Sequence, residues 1–266
     1  MKKTKALAVI LAAGVFMVFA LGSGSSSSST HDSVKVEANG GSSDTNTNTT
    51  AEAKSETKAA IEYEISDTNL EYYTNSIGSI EYYGYVEITN TGSCDIYMND
   101  CVFDLEDNNG HLLQSDSFIS HCPEVISPGE KGYFFNGIGS SIMDEGISLD
   151  NGVKLAPQIS LKKATGKPHS YPISDVDYRK GDYDAVKVTG RVENDTDEEK
   201  GYLSVYIIFR DANGKVIAID TTTVMSEIGA GMKGSFDSST MFGNENLKYE
   251  NIKDVEVICE DTYYQF

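Results

Sequence analysis

The chain states one pattern twice. Asn90, Asp107 and Gly110 recur as Asn194, Asp211 and Gly214, each 104 positions later. The run Gly129-Glu130-Lys131-Gly132-Tyr133-Phe134 returns as Gly231-Met232-Lys233-Gly234-Ser235-Phe236, 102 positions later. Apolar positions travel with them: Ile88 maps to Val192, Leu105 to Phe209, Leu112 to Val216 and Ile126 to Ile228. A period of about 100 residues is domain-sized, above the roughly 20–50 residues of solenoid repeats, and predicts two tandem copies of one fold. Such duplication suits binding and spacer modules better than catalysis, which works through a single constellation.

Both copies read as strands. Leu203, Val205, Ile207 and Phe209 share one face at period two, and the aligned face of the first copy carries Cys101, Phe103 and Leu105. Asp104 and Glu106 alternate with that face and are expected on a solvent-facing strand edge. Turns follow at Asp107-Asn108-Asn109-Gly110 and Asp211-Ala212-Asn213-Gly214, where Asn-Gly is expected to supply the positive φ angles of a tight hairpin. Asn90 and Asn194 are placed to close the preceding strand through an Asx turn. Pro128-Gly129, matched by Ala230-Gly231, marks a further turn. With no long helical period after residue 60, the expectation is an all-β protein: two tandem immunoglobulin-like β-sandwich domains over 61–164 and 165–266. Each is large enough to bury its own core and is expected to fold alone.

Phe103-Asp104-Leu105-Glu106-Asp107 resembles the Phe-x-Leu-Tyr-Asp signature of the FxLYD domain family, with Glu106 in place of tyrosine. Ile207-Ile208-Phe209-Arg210-Asp211 keeps the apolar-x-apolar-x-Asp frame in the second copy. The resemblance implies tandem immunoglobulin-like sandwiches of exported bacterial proteins, and it carries no catalytic residues with it.

The first 22 residues read as a signal peptide. Lys2, Lys3 and Lys5 precede an apolar run from Ala6 to Leu21, whose 16 residues fall short of the roughly 20 a spanning helix needs. A single-pass N-terminal anchor is the alternative. The join to the following Ser/Gly stretch resembles a bacterial lipoprotein, but Ser23 stands where the lipidated cysteine would be, and serine cannot form that thioether. Residues 23–60 have no aromatic side chain and read as a disordered tether. Its Ser55-Glu56-Thr57-Lys58 matches a Ser-x-x-Lys spacing by chance. An extracellular or cell-surface protein is expected, with no transmembrane segment after the signal.

Net charge is −20, with 17 acids against 4 bases over 61–164 and 19 against 11 over 165–266. That balance disfavours nucleic acid and anionic surfaces, and admits an unidentified protein or peptide partner of basic character.

Enzyme signatures are missing, so no catalytic residues and no cofactor are assigned. A calcium-binding surface protein and a hydrolase sited at an interdomain cleft stand as alternatives. Asp104, Glu106, Asp107 and Asn109 lack the EF-hand pattern, and Cys94, Cys101, His111, His121 and Cys122 lack ordinary zinc spacing. Cys101 aligns with Val205 and Cys122 with Val224, which suits buried free thiols; a Cys101–Cys122 disulfide is the competing reading. Cys259 reads as core. Tyr72, Tyr73, Tyr82, Tyr83 and Tyr85 crowd the first domain, either as cross-strand packing or as a binding face on its acidic surface.

Overall fold

Period-two apolar runs become strands in a computed structural model that describes residues 60–138, 141–144, 146–182, 185–240 and 248–261. Residues 1–59, on which the expected signal, Ser23, the Ser-x-x-Lys spacing and all of the expected tether but Ala60 fall, lie outside the described residues. The first copy contributes β1 (Tyr63–Thr74), β2 (Ile80–Asn90), β3 (Ile96–Glu106), β4 (Leu112–Asp116), β5 (Ser120–Cys122), β6 (Val125–Ile126), β7 (Lys131–Phe135), β8 (Ser141–Ile142) and β9 (Lys154–Lys163). The second contributes β10 (Ile173–Lys180), β11 (Val186–Glu193), β12 (Leu203–Arg210), β13 (Val216–Val224), β14 (Lys233–Thr240) and β15 (Asp254–Glu260).

The pairing repeats as the sequence does. In the first copy β1-β2-β7-β5 form one sheet, with β8 on β2, and β4-β3 pair with β6 and β9 in the other. In the second, β10-β11-β14 face β13-β12-β15. All named strand pairs are antiparallel. The protein is all-β, two β-sandwiches in series. Among the described residues no helix is long and apolar enough to cross a membrane.

Each sandwich fills with the residues its alternation predicts. Val86 and Ile88 of β2 and Phe134 of β7 meet Ile96, Met98, Cys101 and Phe103 of β3 in the first. Val205, Ile207 and Phe209 of β12 meet Val186, Val188 and Phe236 in the second. Gly132 and Gly234 occupy equivalent positions because neither has room for a Cβ. One at Gly132 would collide with Met98, and one at Gly234 would lie 2.6 Å from Ile228 Cδ1.

The hairpin turns differ from expectation in one respect. Gly110 (φ 83°) and Gly214 (φ 78°) take positive φ, whereas Asn109 and Asn213 do not. A register shift follows at Leu105/Glu106 and at Phe209/Arg210. This is a turn closed by a glycine bulge, in which only the glycine needs left-handed backbone.

The two sandwiches share a core. Tyr83, Tyr85, Cys122, Tyr133 and Phe135, on the outer face of the β2 sheet, cluster with Ile208, Ile219 and the second sandwich's interior. Phe135 meets Tyr206 edge-on, ring centroids 6.3 Å apart. The outer face of the β2 sheet therefore packs on the outer face of the β12 sheet. At about 1.5–3 kcal/mol per fully buried large side chain, this contact stabilises by several kcal/mol.

Candidate functional site

The residues stated twice have the same work in both copies. Asn90 Nδ2 donates to the carbonyl oxygens of Cys94 (2.9 Å) and Ile126 (3.0 Å), while its Oδ1 accepts the Gly92 amide at 2.9 Å. Asn194 Nδ2 donates to Glu198 and Ile228, both at 2.7 Å, and its Oδ1 accepts the Thr196 amide at 3.1 Å. Both asparagines are fully buried. Each ties the end of one strand to two loops, so polar backbone can enter the core satisfied. Asp107 Oδ1 accepts the amides of Asn109 (2.8 Å) and His111 (2.9 Å); Asp211 Oδ1 accepts those of Asn213 (2.8 Å) and Lys215 (3.0 Å). The His111 amide leads the hydrogen bonds that hold the Asp107 carboxyl down to about 2. These carboxylates are turn clamps.

Asp104 corrects an expectation. It is buried rather than on a solvent edge, with Ser115 Oγ at 2.5 Å and Gln158 Nε2 also bonded to its carboxylate. Neighbouring strands β4 and β9 cover it on both sides. Glu106 pairs with Lys154 at 3.1 Å.

The five tyrosines do not form one exposed face. Alternation along β2 sends Tyr82 to one side, beside Leu105 and Met143, and Tyr83 and Tyr85 to the other. Both sides are covered, so all three are buried. Tyr83 and Tyr85 instead reach the second copy: Tyr85 Oη donates to Val216 O at 2.6 Å, and the Ile219 amide donates to Tyr83 Oη at 2.6 Å. Burial raises both phenols, that of Tyr85 further through the Asp67 carboxylate. Tyr73 bonds Glu81 on the neighbouring strand, and Tyr72 is partly exposed on β1.

The Cys101–Cys122 disulfide is absent, and all four cysteines are free and buried. Cys101 lies inside the first sandwich and Cys122 in the shared core, on opposite sides of the β2 sheet. Burial raises each of these thiols, and pushes Cys259 up to about 12. The cysteines and histidines that lack zinc spacing in the sequence are dispersed in the same way. His111 is largely exposed beside Asp107, and His121 sits edge-on between Tyr97 and Phe134. Among the described residues no group of three His, Cys, Asp or Glu could hold a metal ion.

What no motif announced is a cleft of about 510 Å³ where the copies meet. Pro123, Val125 and Tyr133 come from the first copy, Arg210, Ile258 and Glu260 from the second, and Lys167, Pro168 and Ser170 from the connector. Arg210 binds Glu256 at 2.6 Å and the Tyr133 hydroxyl at 2.9 Å. Lys131 binds Glu87 at 2.6 Å. Glu260 accepts the Glu124 amide at 2.5 Å, and Glu124 lies 3.1 Å from His121 Nε2. Burial, reinforced by the Glu124 charge, pushes the Glu260 carboxyl up to about 7. Six charged side chains, Ser170 and five apolar or aromatic ones line this concave surface, and a cleft that holds one perturbed acid has the form of a binding site. The sequence allows a site at an interdomain cleft but names none of its residues, because they are scattered along the chain. No family model matches the chain, and no curated protein matches it.

Proposed function

We propose that this chain is an exported, non-catalytic recognition protein, in which a signal segment (1–22) and a tether (23–60) carry two immunoglobulin-like, FxLYD-type sandwiches. The observation that carries this reading is the identical use of the duplicated polar residues. Asn90 and Asn194, and Asp107 and Asp211, satisfy equivalent backbone groups in the two copies. Duplication has thus propagated a fold rather than a chemistry. Recognition falls to the junction cleft, the concave surface that both copies build. The hydrolase alternative is less well supported there, because Glu256 is committed to Arg210, which leaves Glu260 without a second free acid beside it in the cleft lining. A calcium role is similarly disfavoured by carboxylates at Asp104 and Asp107 that already have protein donors.

The test is to express the full chain with a C-terminal tag in a bacterium, fractionate the cells and cross-link at the surface. The reading expects chain cleaved near Ser23 in the surface or medium fraction, captured with a protein or peptide partner. Uncleaved chain retained in the cytoplasm contradicts it.

A further inference from the structure

Glu260 ends β15 at the junction cleft and is only 7 % exposed. Its Oε1 accepts the Glu124 amide, whereas Oε2 has no hydrogen-bond or ion-pair partner among the described residues. The cations lining the same cleft are engaged with other groups. Arg210 is held by Glu256, Lys131 by Glu87, and Lys167 by the Ser127 hydroxyl, 3.9 Å from Asp95. Glu260 is therefore a buried acid with no counter-ion, and such a group is costly until a cation reaches it. Burial and the Glu124 charge have raised it accordingly. Beside it, Pro123, Val125, Tyr133, Pro168 and Ile258 form an apolar wall.

We infer that the cleft binds a primary ammonium on an aliphatic stem, the ammonium pairing with Glu260 Oε2 and the stem lying along the apolar wall. The inference rests on the recognition reading and names the ligand chemistry of that site. Three acids and three cations line the cleft, and of these six Glu260 alone is buried and without an ion pair among the described residues, so a cation finds an unmatched charge there and a carboxylate does not. The net charge of −20 also concentrates cations around the chain. The ammonium has two sources with one chemistry: a free alkylamine, or a lysine side chain displayed by a protein.

Isothermal titration of the full chain at low salt separates the two. The probes are pentylammonium, N-acetyl-lysine N-methylamide as a displayed lysine side chain, and pentanoate as the anionic control. At least one amine is expected to bind saturably and pentanoate not to bind. Pentylammonium alone binding assigns a free amine; the blocked lysine binding assigns a protein side chain. Glu260→Gln should weaken the amine by at least about tenfold, the range expected when a buried charge pair loses one member. Ser170 faces Glu260 across an isolated antiparallel bridge, so Ser170→Lys places a tethered ammonium opposite the acid and should abolish binding. This second variant decides the matter if Glu260→Gln does not fold. Silence of both amines, equal binding of pentanoate, or affinity unchanged in the folded variants overturns the inference. Such a failure removes the ammonium alone, since export and capture are read without reference to Glu260.

Discussion

The hydroxyl of Tyr83 satisfies both backbone groups of Ile219 in the other sandwich: it accepts the amide at 2.6 Å and donates to the carbonyl at 3.3 Å. Ile219 lies on β13, an edge strand of its sheet, whose outward backbone would otherwise lack partners. Two residues further along β2, Tyr85 does the same for the Val216 carbonyl. These phenols stitch the two copies together.

Tyr83→Phe and Tyr85→Phe keep the ring packing and remove only the hydroxyls. Each should destabilise the full chain by about 1–3 kcal/mol in urea unfolding, because buried backbone groups are left unpaired. A loss below the error of the measurement for both would mean that the hydroxyls contribute nothing to the junction.

Asn90→Ala and Asn194→Ala should behave alike. Each strands two carbonyls, both buried at Asn90 and one of them buried at Asn194, together with one loop amide, with an expected cost of about 2–4 kcal/mol. The same substitution at Asn99, a surface-side strand residue, should cost under about 0.5 kcal/mol. Equal costs at all three positions would contradict the structural role of the repeated asparagines.

The thiols give a third check. Cys94, Cys101, Cys122 and Cys259 are buried and unpaired, so a thiol reagent should label none in the native chain and all four in denaturant. Unfolding should also be indifferent to reductant. Fewer than four reactive thiols in denaturant without reductant would reveal a disulfide.

Glu260 predicts a pH dependence with a definite sign. Its folded value, about 7, lies above its unfolded value near 4.3. Protons therefore bind the folded state more tightly. The associated stability is complete below about pH 4 and is lost as pH rises through about 7. Glu260→Gln removes this loss and should raise stability at pH 8 by on the order of 2 kcal/mol, with little change at pH 4. Unfolding curves at the two pH values check it; a variant equally or more unstable at pH 8 contradicts the assignment.

How far the sequence reveals all this depends on where a residue's partners lie. Val205, Ile207 and Phe209 were legible as core because alternation along one strand is a local signal, and Asp107 and Gly110 because a turn is built from neighbours. The repeat itself made the second sandwich readable from the first. Asp104 was misplaced because strands β4 and β9 bury it from both sides, a fact of pairing rather than composition. The junction did leave a trace. Tyr82–Ile88 and Tyr206–Phe209 are apolar at nearly every position, as in strands covered on both faces, whereas a free-standing sandwich would alternate. The cleft left none, because Lys131, Arg210 and Glu260 converge only after two sheets have stacked.

The central claim is that the two sandwiches form one unit whose site belongs to neither alone. Scanning calorimetry of the full chain beside fragments 61–164 and 165–266 tests it most directly. The account predicts one cooperative transition, with calorimetric and van't Hoff enthalpies in agreement. It also predicts separated fragments that melt well below the full chain and recombine when mixed, since parting them exposes Tyr83, Phe135 and Ile208. Two independent transitions, each reproduced by an isolated fragment, would contradict it.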